Sequence, residues 1–274
     1  MRNRLARLVF PFLLLAVAAC DSAPYTERKQ LILIPESQEL AMGARAARDI
    51  LRTARLSTNP THKAAVARVG RRIAAASQAP QLDWEFHVID DDRTANAFCL
   101  PGGKIFVSSG LFDVARDDDA LATVLAHEVA HALARHGAER LTLELGAQLG
   151  GAILQLALGD EDPRLAAIAA RVWGYGSNLG LVLPYGRKQE YEADAIGLRL
   201  MDKAGYDLEG AVRFWEAMRR ADAPKPLFAF LSTHPADDSR LEKIRHDIRE
   251  IRAAKRRPPA GGNQASETPG PDGT

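Results

Sequence analysis

The run that most constrains this chain is His127-Glu128-Val129-Ala130-His131. Ala120, Leu121, Val124, Leu125 and Ala126 precede it and Ala132 and Leu133 follow, a setting that suits a helix. Asp117-Asp118-Asp119 supplies acids for that helix's N-terminus. On a helix, two histidines four residues apart share a face, so both imidazoles can bind one Zn²⁺. Glu128 then projects beside them, where it can take a proton from water. A catalytic zinc takes three protein ligands and keeps one position open. The fold must therefore deliver a third ligand from elsewhere.

Two places in the sequence offer one. His136 is near, but it lies five residues after His131 on another face of a continued helix. Glu190, in Glu190-Tyr191-Glu192-Ala193-Asp194, is the better candidate. Glu190 and Asp194 share a helix face at i and i+4. Glu190 can ligate the metal, and Asp194 can accept a hydrogen bond from the far nitrogen of a ligating histidine. Glu192 points elsewhere, towards solvent or a salt bridge.

The remaining pattern predicts an α+β, mostly helical domain. Helices are expected over 35–55, 62–75, 120–136, 165–175, 189–204, 208–221 and 236–253, with a loop over 176–188. Trp84 to Asp90 alternates with period two, and 95–100 and 104–107 read as two further short strands around the turn Pro101-Gly102-Gly103. Together they predict a small three-stranded antiparallel sheet beside the active-site helix. Leu141 to Gly159 is strongly apolar, but Glu144, Gln148, Gln155 and its glycines argue against a membrane span. A buried helix is expected there, a membrane-facing or lid-like helix being the other reading. Residues 257–274 are rich in Pro, Gly and polar residues and cannot bury a core.

The N-terminus reads as a leader. Arg2, Arg4 and Arg7 form a basic start, followed by an apolar run over 8–19 that is short for a span but suits a signal-peptide core. Leu15-Ala16-Val17-Ala18-Ala19-Cys20 resembles a bacterial lipobox, which implies cleavage before Cys20 and lipidation of that cysteine. An ordinary secretory signal with Cys20 incidental is the other reading. The expected organisation is a lipoprotein signal peptide over 1–19, a lipidated N-terminus and tether over 20–34, a zinc metallopeptidase domain over 35–256 and a disordered tail over 257–274. Without residues 1–19 the charges are 33 basic against 35 acidic. That balance excludes the basic excess of a nucleic-acid binder. Two cysteines exclude a disulfide-dense scaffold and a four-cysteine zinc site. Cys99 reads as a small buried hydrophobe, a place on the cleft being the other reading.

Two further stretches complete a set of four. Asn96-Ala97-Phe98-Cys99-Leu100-Pro101-Gly102-Gly103-Lys104-Ile105-Phe106-Val107 lies before the histidine motif, and Ser232-Thr233-His234-Pro235 with Arg240 lies after the acidic one. In this order the four resemble the membrane-associated zinc metallopeptidases of family forty-eight, the family of HtpX and the CAAX prenyl proteases. The resemblance covers roughly 35–253, with the periplasmic lipoprotein members of the LoiP and BepA kind nearest in architecture. It implies a zincin-like domain holding one Zn²⁺ per subunit through His127, His131 and Glu190, with Glu128 as general base. It implies that Asn96, Gly102, Gly103, Lys104, Ile105 and Phe106 border an extended substrate. His234 then acts as a fourth, activity-suppressing ligand or as an oxyanion donor, unless it only caps the turn before Pro235. Arg240 pairs with an acid near the site or with Asp237.

These readings predict a zinc metalloendopeptidase of unfolded or misassembled envelope proteins, engaged in protein quality control. Its expected partners are protein or peptide substrates, the membrane through its lipidated N-terminus and envelope-assembly proteins, with no nucleic acid. The expected location is the bacterial cell envelope, facing the periplasm. The alternative is a periplasmic chaperone or assembly factor whose peptidase site is largely closed.

Overall fold

A computed structural model describes residues 20–159, 183–219, 228–235 and 238–256. The expectations for 1–19, 165–175 and 257–274 lie outside those residues, as does Asp237. In chain order, a hairpin of β1 (Cys20–Ser22) and β2 (Lys29–Leu31) leads to α1 (Glu36–Thr53) and α2 (Pro60–Ser77). Three strands follow, β3 (Glu85–Ile89), β4 (Ala97–Leu100) and β5 (Lys104–Ser108), then a short 3₁₀ turn. The helices α3 (Asp118–Leu133), α4 (His136–Gly159), α5 (Leu183–Lys203), α6 (Glu209–Arg219), α7 (Phe228–Thr233) and α8 (Asp238–Arg256) complete the described fold.

The centre is α3. Asp117 caps it by accepting the Ala120 N–H, with Asp118 and Asp119 in the first turn as the sequence suggests. Every residue from Ala120 to Ala130 is buried. A helix with no polar face has to be surrounded, and α2, α5, α6 and the sheet surround it. Small residues let α5 come close. A Cβ on Gly197 would meet the Ala126 carbonyl carbon and the His127 nitrogen at 3.3 Å. This close crossing brings the two motif-bearing helices face to face. Asn59 caps α2 by accepting the Thr61 and His62 N–H groups, and Val66, Val69 and Ile73 pack inward as their spacing predicts.

The three strands form where expected, but the sheet is mixed. β5 lies in the middle, antiparallel to β4 and parallel to β3. The tight turn at Gly102 and Gly103, both at φ 87°, forces the β4–β5 pairing. The longer connection from β3 to β4 lets β4 pass to the far side, so β3 meets β5 with the same polarity. β5 therefore has no open edge. The main chain of 55–57 covers part of the outer edge of β3 through Ser57 N–H to Val88 C=O and Asp90 N–H to Arg55 C=O. No strand among the described residues pairs with the outer edge of β4.

Two other expectations change. The apolar segment after Leu141 is helical, but Leu145 and Leu149 are 41% and 62% exposed, so its first half, over 141–149, is not buried. Among the described residues no helix is long and apolar enough to cross a membrane. The stretch read as a tether is also docked. Gln30 is buried and donates to the Ala134 carbonyl, Arg199 donates to the Tyr25 carbonyl, and Arg28 forms two hydrogen bonds with Glu139 at 2.7 Å each. Helix α5 begins at Leu183, inside the expected loop over 176–188.

Two outcomes test this packing. Gly197→Val overfills the α3–α5 crossing and should cost about 1–3 kcal/mol, a fall of several degrees in Tm on thermal melting; an unchanged Tm would mean the crossing has slack. Burial alone would raise the Glu139 carboxyl, but Arg28 and Gln189 hold it below its ordinary value of 4.5. Its contribution to stability is present above pH 4.5 and lost as pH falls through the lowered value. Glu139→Gln should flatten the acid limb of a stability–pH curve below pH 4.5.

Candidate metal centre

Helix α3 presents His127 and His131 one turn apart, and α5 presents Glu190 and Asp194 one turn apart on the facing side. At the end of α7, the His234 N–H donates to the Phe230 carbonyl, and the imidazole turns inward among them. One donor atom from each of His127, His131, Glu190 and His234 lies within 4.8 Å of the others. The three ligands expected from sequence do converge, and His234 joins them.

The contacts within this group test whether a metal fits. His127 Nε2 is 3.0 Å from His131 Nε2, 3.1 Å from Glu190 Oε2 and 3.1 Å from His234 Nδ1. One ring nitrogen carries a single proton or a single lone pair, so it cannot satisfy three such neighbours. A shared cation can. Metal–nitrogen bonds of ~2.0 Å in a tetrahedron set ligand atoms roughly 3.3 Å apart, close to this spacing. Glu190 Oε1 is also buried without a hydrogen-bond partner. The donor set, three imidazoles and a carboxylate, suits Zn²⁺.

The expected support for His127 is present. Its Nδ1 lies 3.0 Å from Asp194 Oδ1. Arg240 grips the same carboxylate with Nε at 2.6 Å and Nη2 at 2.9 Å. Arg240 also reaches Glu190 Oε2 at 3.2 Å and the Pro235 carbonyl at 3.0 Å, and its guanidinium lies 3.7 Å from the centre of the Trp215 ring. It is 2% exposed, so its partner is the acid near the site.

Charges follow from these contacts. Burial would lower the His127 imidazole, but Asp194 and Glu190 outweigh it and push it up to about 9. Burial draws His131 well below the ordinary histidine value, which keeps its lone pair available. Burial opposes ionisation of Glu190 and Asp194, but the histidines and, for Asp194, Arg240 hold both below the usual carboxylate range. Glu128 goes the other way: burial raises it, and its Oε1 is buried without a hydrogen-bond partner. A carboxylate raised in this way is a better proton acceptor.

A cleft of about 350 Å³ opens over this group. Residues 96–99 of and before β4 line one wall, with Glu128, His131 and His234 at its floor. Of the six residues expected to border substrate, only Asn96 lines it. Gly102 and Gly103 form a turn against Leu40 and Trp84. Lys104 is tied to the Asp83 carbonyl at 2.6 Å and to Glu85 at 2.7 Å, and Ile105 and Phe106 are fully buried. The physical reason is the central position of β5. Sequence reasoning missed Ala97, while Cys99 meets the cleft as its second reading allows; the Ser108 N–H to Asn96 C=O bond fixes the alternation that turns the main-chain groups of both to the outer edge. Cys99 is half-buried, and burial together with the Glu128 charge raises its thiol.

Glu192 and His136 lie on the other side of the site. Glu192 faces a salt bridge and not solvent, since it is 6% exposed and takes Arg28 Nε at 2.6 Å. His136 is 2% exposed and its Nδ1 sits 2.8 Å from His131 Nδ1, on the side of that ring away from the other donors.

Asp194→Asn removes the charge that faces both His127 and Arg240. It should weaken zinc binding ~10–100-fold in a chelator competition; unchanged affinity would mean that His127 is oriented by packing alone.

Sequence comparison agrees with this geometry. The profile of Peptidase family M48 matches residues 60–248. The fission-yeast mitochondrial metalloendopeptidase OMA1 is 41% identical over 191 residues, 69% of this chain and 54% of that protein. The budding-yeast protein of the same name is 33% identical over 244 residues, 82% of this chain and 68% of the relative. The beta-barrel assembly-enhancing protease of Yersinia pestis is 27% identical over 225 residues, 78% of this chain and 45% of the relative. The chain thus spans about half to two thirds of these proteins. The expected location in a bacterial cell envelope, facing the periplasm, is overturned: the relatives of higher identity are named as mitochondrial. A basic start and a short apolar run describe a leader's physics and not its destination. With both motif helices, the donor set and the profile in agreement, the chain belongs to peptidase family M48.

Proposed function

We propose that this chain is a zinc-dependent metalloendopeptidase that hydrolyses peptide bonds in extended segments of unfolded or misassembled proteins. The observation that carries this reading is Glu128: a buried carboxylate with a raised pKa, beside the converged donors and on the floor of a cleft walled by an open strand edge. His127, His131 and Glu190 would hold the metal. When bound, zinc lowers the pKa of water towards neutrality and polarises a carbonyl oxygen.

This chain's residues supply the rest. An extended substrate adds to the outer edge of β4, where the Ala97 N–H and C=O and the Cys99 C=O face outward, the Cys99 N–H being given to Glu128. Glu128 accepts a proton from the attacking water as oxygen bonds to the carbonyl carbon. It then delivers that proton to the leaving nitrogen as the C–N bond breaks. His234 lies 3.4 Å from Glu128 Oε1 through Nε2 and 2.9 Å from Glu190 through Nδ1. With its Nδ1 among the donors, His234 would take the position that a catalytic site keeps open. We read this as a resting arrangement that His234 must leave for water to enter. The same closure favours, as a second reading, a chaperone-like role in which extended clients bind without cleavage.

Digestion of casein separates the two. The Glu128→Gln protein should lose at least ~100-fold in cleavage rate while retaining zinc, because Glu128 is outside the donor set. Full activity in that variant would refute the assignment. Client binding by the wild type with no cleavage, with or without chelator, would favour the chaperone reading.

A further inference from the structure

His127 and His131 are equivalent in the motif, yet their outer nitrogens meet different surroundings. His127 is backed directly by Asp194 and Arg240. His131 is backed by a longer chain. Its Nδ1 is 2.8 Å from His136 Nδ1, His136 Nε2 is 3.0 Å from Glu192 Oε2, and Arg28 Nε donates to that oxygen at 2.6 Å. Thr26 donates to the other Glu192 oxygen. Arg28 also holds Glu139 with both Nη atoms, and Gln189 joins Glu139 to the His136 carbonyl.

We infer that the N-terminal hairpin positions a metal ligand: Arg28, through Glu192 and His136, fixes the ring orientation and tautomer of His131. The geometry allows one assignment. His131 must present Nε2 as a lone pair to join the donor set, so its proton is on Nδ1. That proton faces His136 Nδ1, which must accept it. The His136 proton is then on Nε2 and faces Glu192, which accepts in turn. Arg28 balances the buried carboxylate at the end of the line. Helix α3 ends at Leu133 with Ala134 as its C-cap, and Arg135 adopts φ 51°. This left-handed step swings His136 back towards His131, which an uninterrupted helix would not do. His136 and Glu192 are 2% and 6% exposed, so the middle of the line is buried, while Arg28 at its end is partly exposed.

Thr26 and Arg28 precede the segment matched by the family profile, which begins at residue 60. The histidine motif alone therefore does not complete the support of its second ligand. The inference rests on the metal-site half of the proposed function and is independent of peptide cleavage. A protein that binds zinc but cleaves nothing would sink the peptidase reading and leave this one standing.

The test uses the full chain and reads zinc affinity by chelator competition, with no substrate present. Arg28→Met and Glu192→Gln should each weaken binding ~10–100-fold, and the double variant should be no worse than the weaker single one, because both cut the same line. Arg28→Lys keeps the charge and should recover part of the loss. Arg199→Met loosens the same hairpin at the Tyr25 carbonyl without touching the line, and should bind zinc like the wild type. Nitrogen NMR of the histidines gives a second readout in every variant that folds: His131 should hold its proton on Nδ1 in the wild type and become a tautomer mixture in Glu192→Gln. Wild-type affinity in both Arg28→Met and Glu192→Gln would overturn the inference. So would a loss in Arg199→Met equal to that in Arg28→Met, which would mean that docking the hairpin, and not the line of hydrogen bonds, supports the site. If Arg28→Met does not fold, the isosteric Glu192→Gln and the Lys variant decide.

Discussion

The interaction on which the rest depends is the compensation of buried charge around the His127–His131 face of α3. Glu190, Asp194 and Glu192 lie on one helix within five residues, all at least nine-tenths buried. Taking one carboxylate out of water without a partner is costly enough to prevent ionisation. Here each acid meets cations or imidazoles from other elements. Arg240 comes from α8, Arg28 from the hairpin, and the histidines from α3, α4 and the end of α7. The helices are therefore not merely packed by apolar contact. Removing any one cation leaves a buried acid unbalanced, and removing an acid strands a buried cation. That mutual dependence ties the two ends of the described chain to its middle.

Much of this was legible from sequence, and the legible part has a common cause. The α3 motif, the Glu190 and Asp194 pair, and the strand–turn–strand at 95–107 are local patterns, where spacing along one element decides which side chains share a face. What was not legible depends on neighbours. Alternation identifies β3, β4 and β5 as strands but says nothing of order, and a sheet with β5 in the centre hides residues that an edge strand would display. The Leu141 segment has a helix's composition, and its exposure is decided by what packs against it. His136 was discounted as a ligand for its five-residue spacing, and it is indeed outside the donor set; its contact with His131 depends on the backbone turn at Arg135. Residues 20–31 are polar, so composition reads them as solvated, whereas their polar groups are used in pairing with buried acids.

The cleft adds a link between substrate recognition and chemistry. Cys99 lies on the open edge of β4, and a hydrogen bond from its main chain reaches Glu128. The same edge that would pair with an extended peptide therefore also touches the base. Main-chain pairing is blind to side-chain identity, so on the proposed reading selection by this edge would be for chains that can be drawn out straight, not for a particular sequence. A folded protein keeps its strands paired and its helices closed and offers no such segment. His234 stands at the meeting point of donors, base and cleft, so in the proposed reaction a chain lying along β4 and His234 within the donor set would compete for one place. A site built in this way would stay closed to water until an extended segment lies against it.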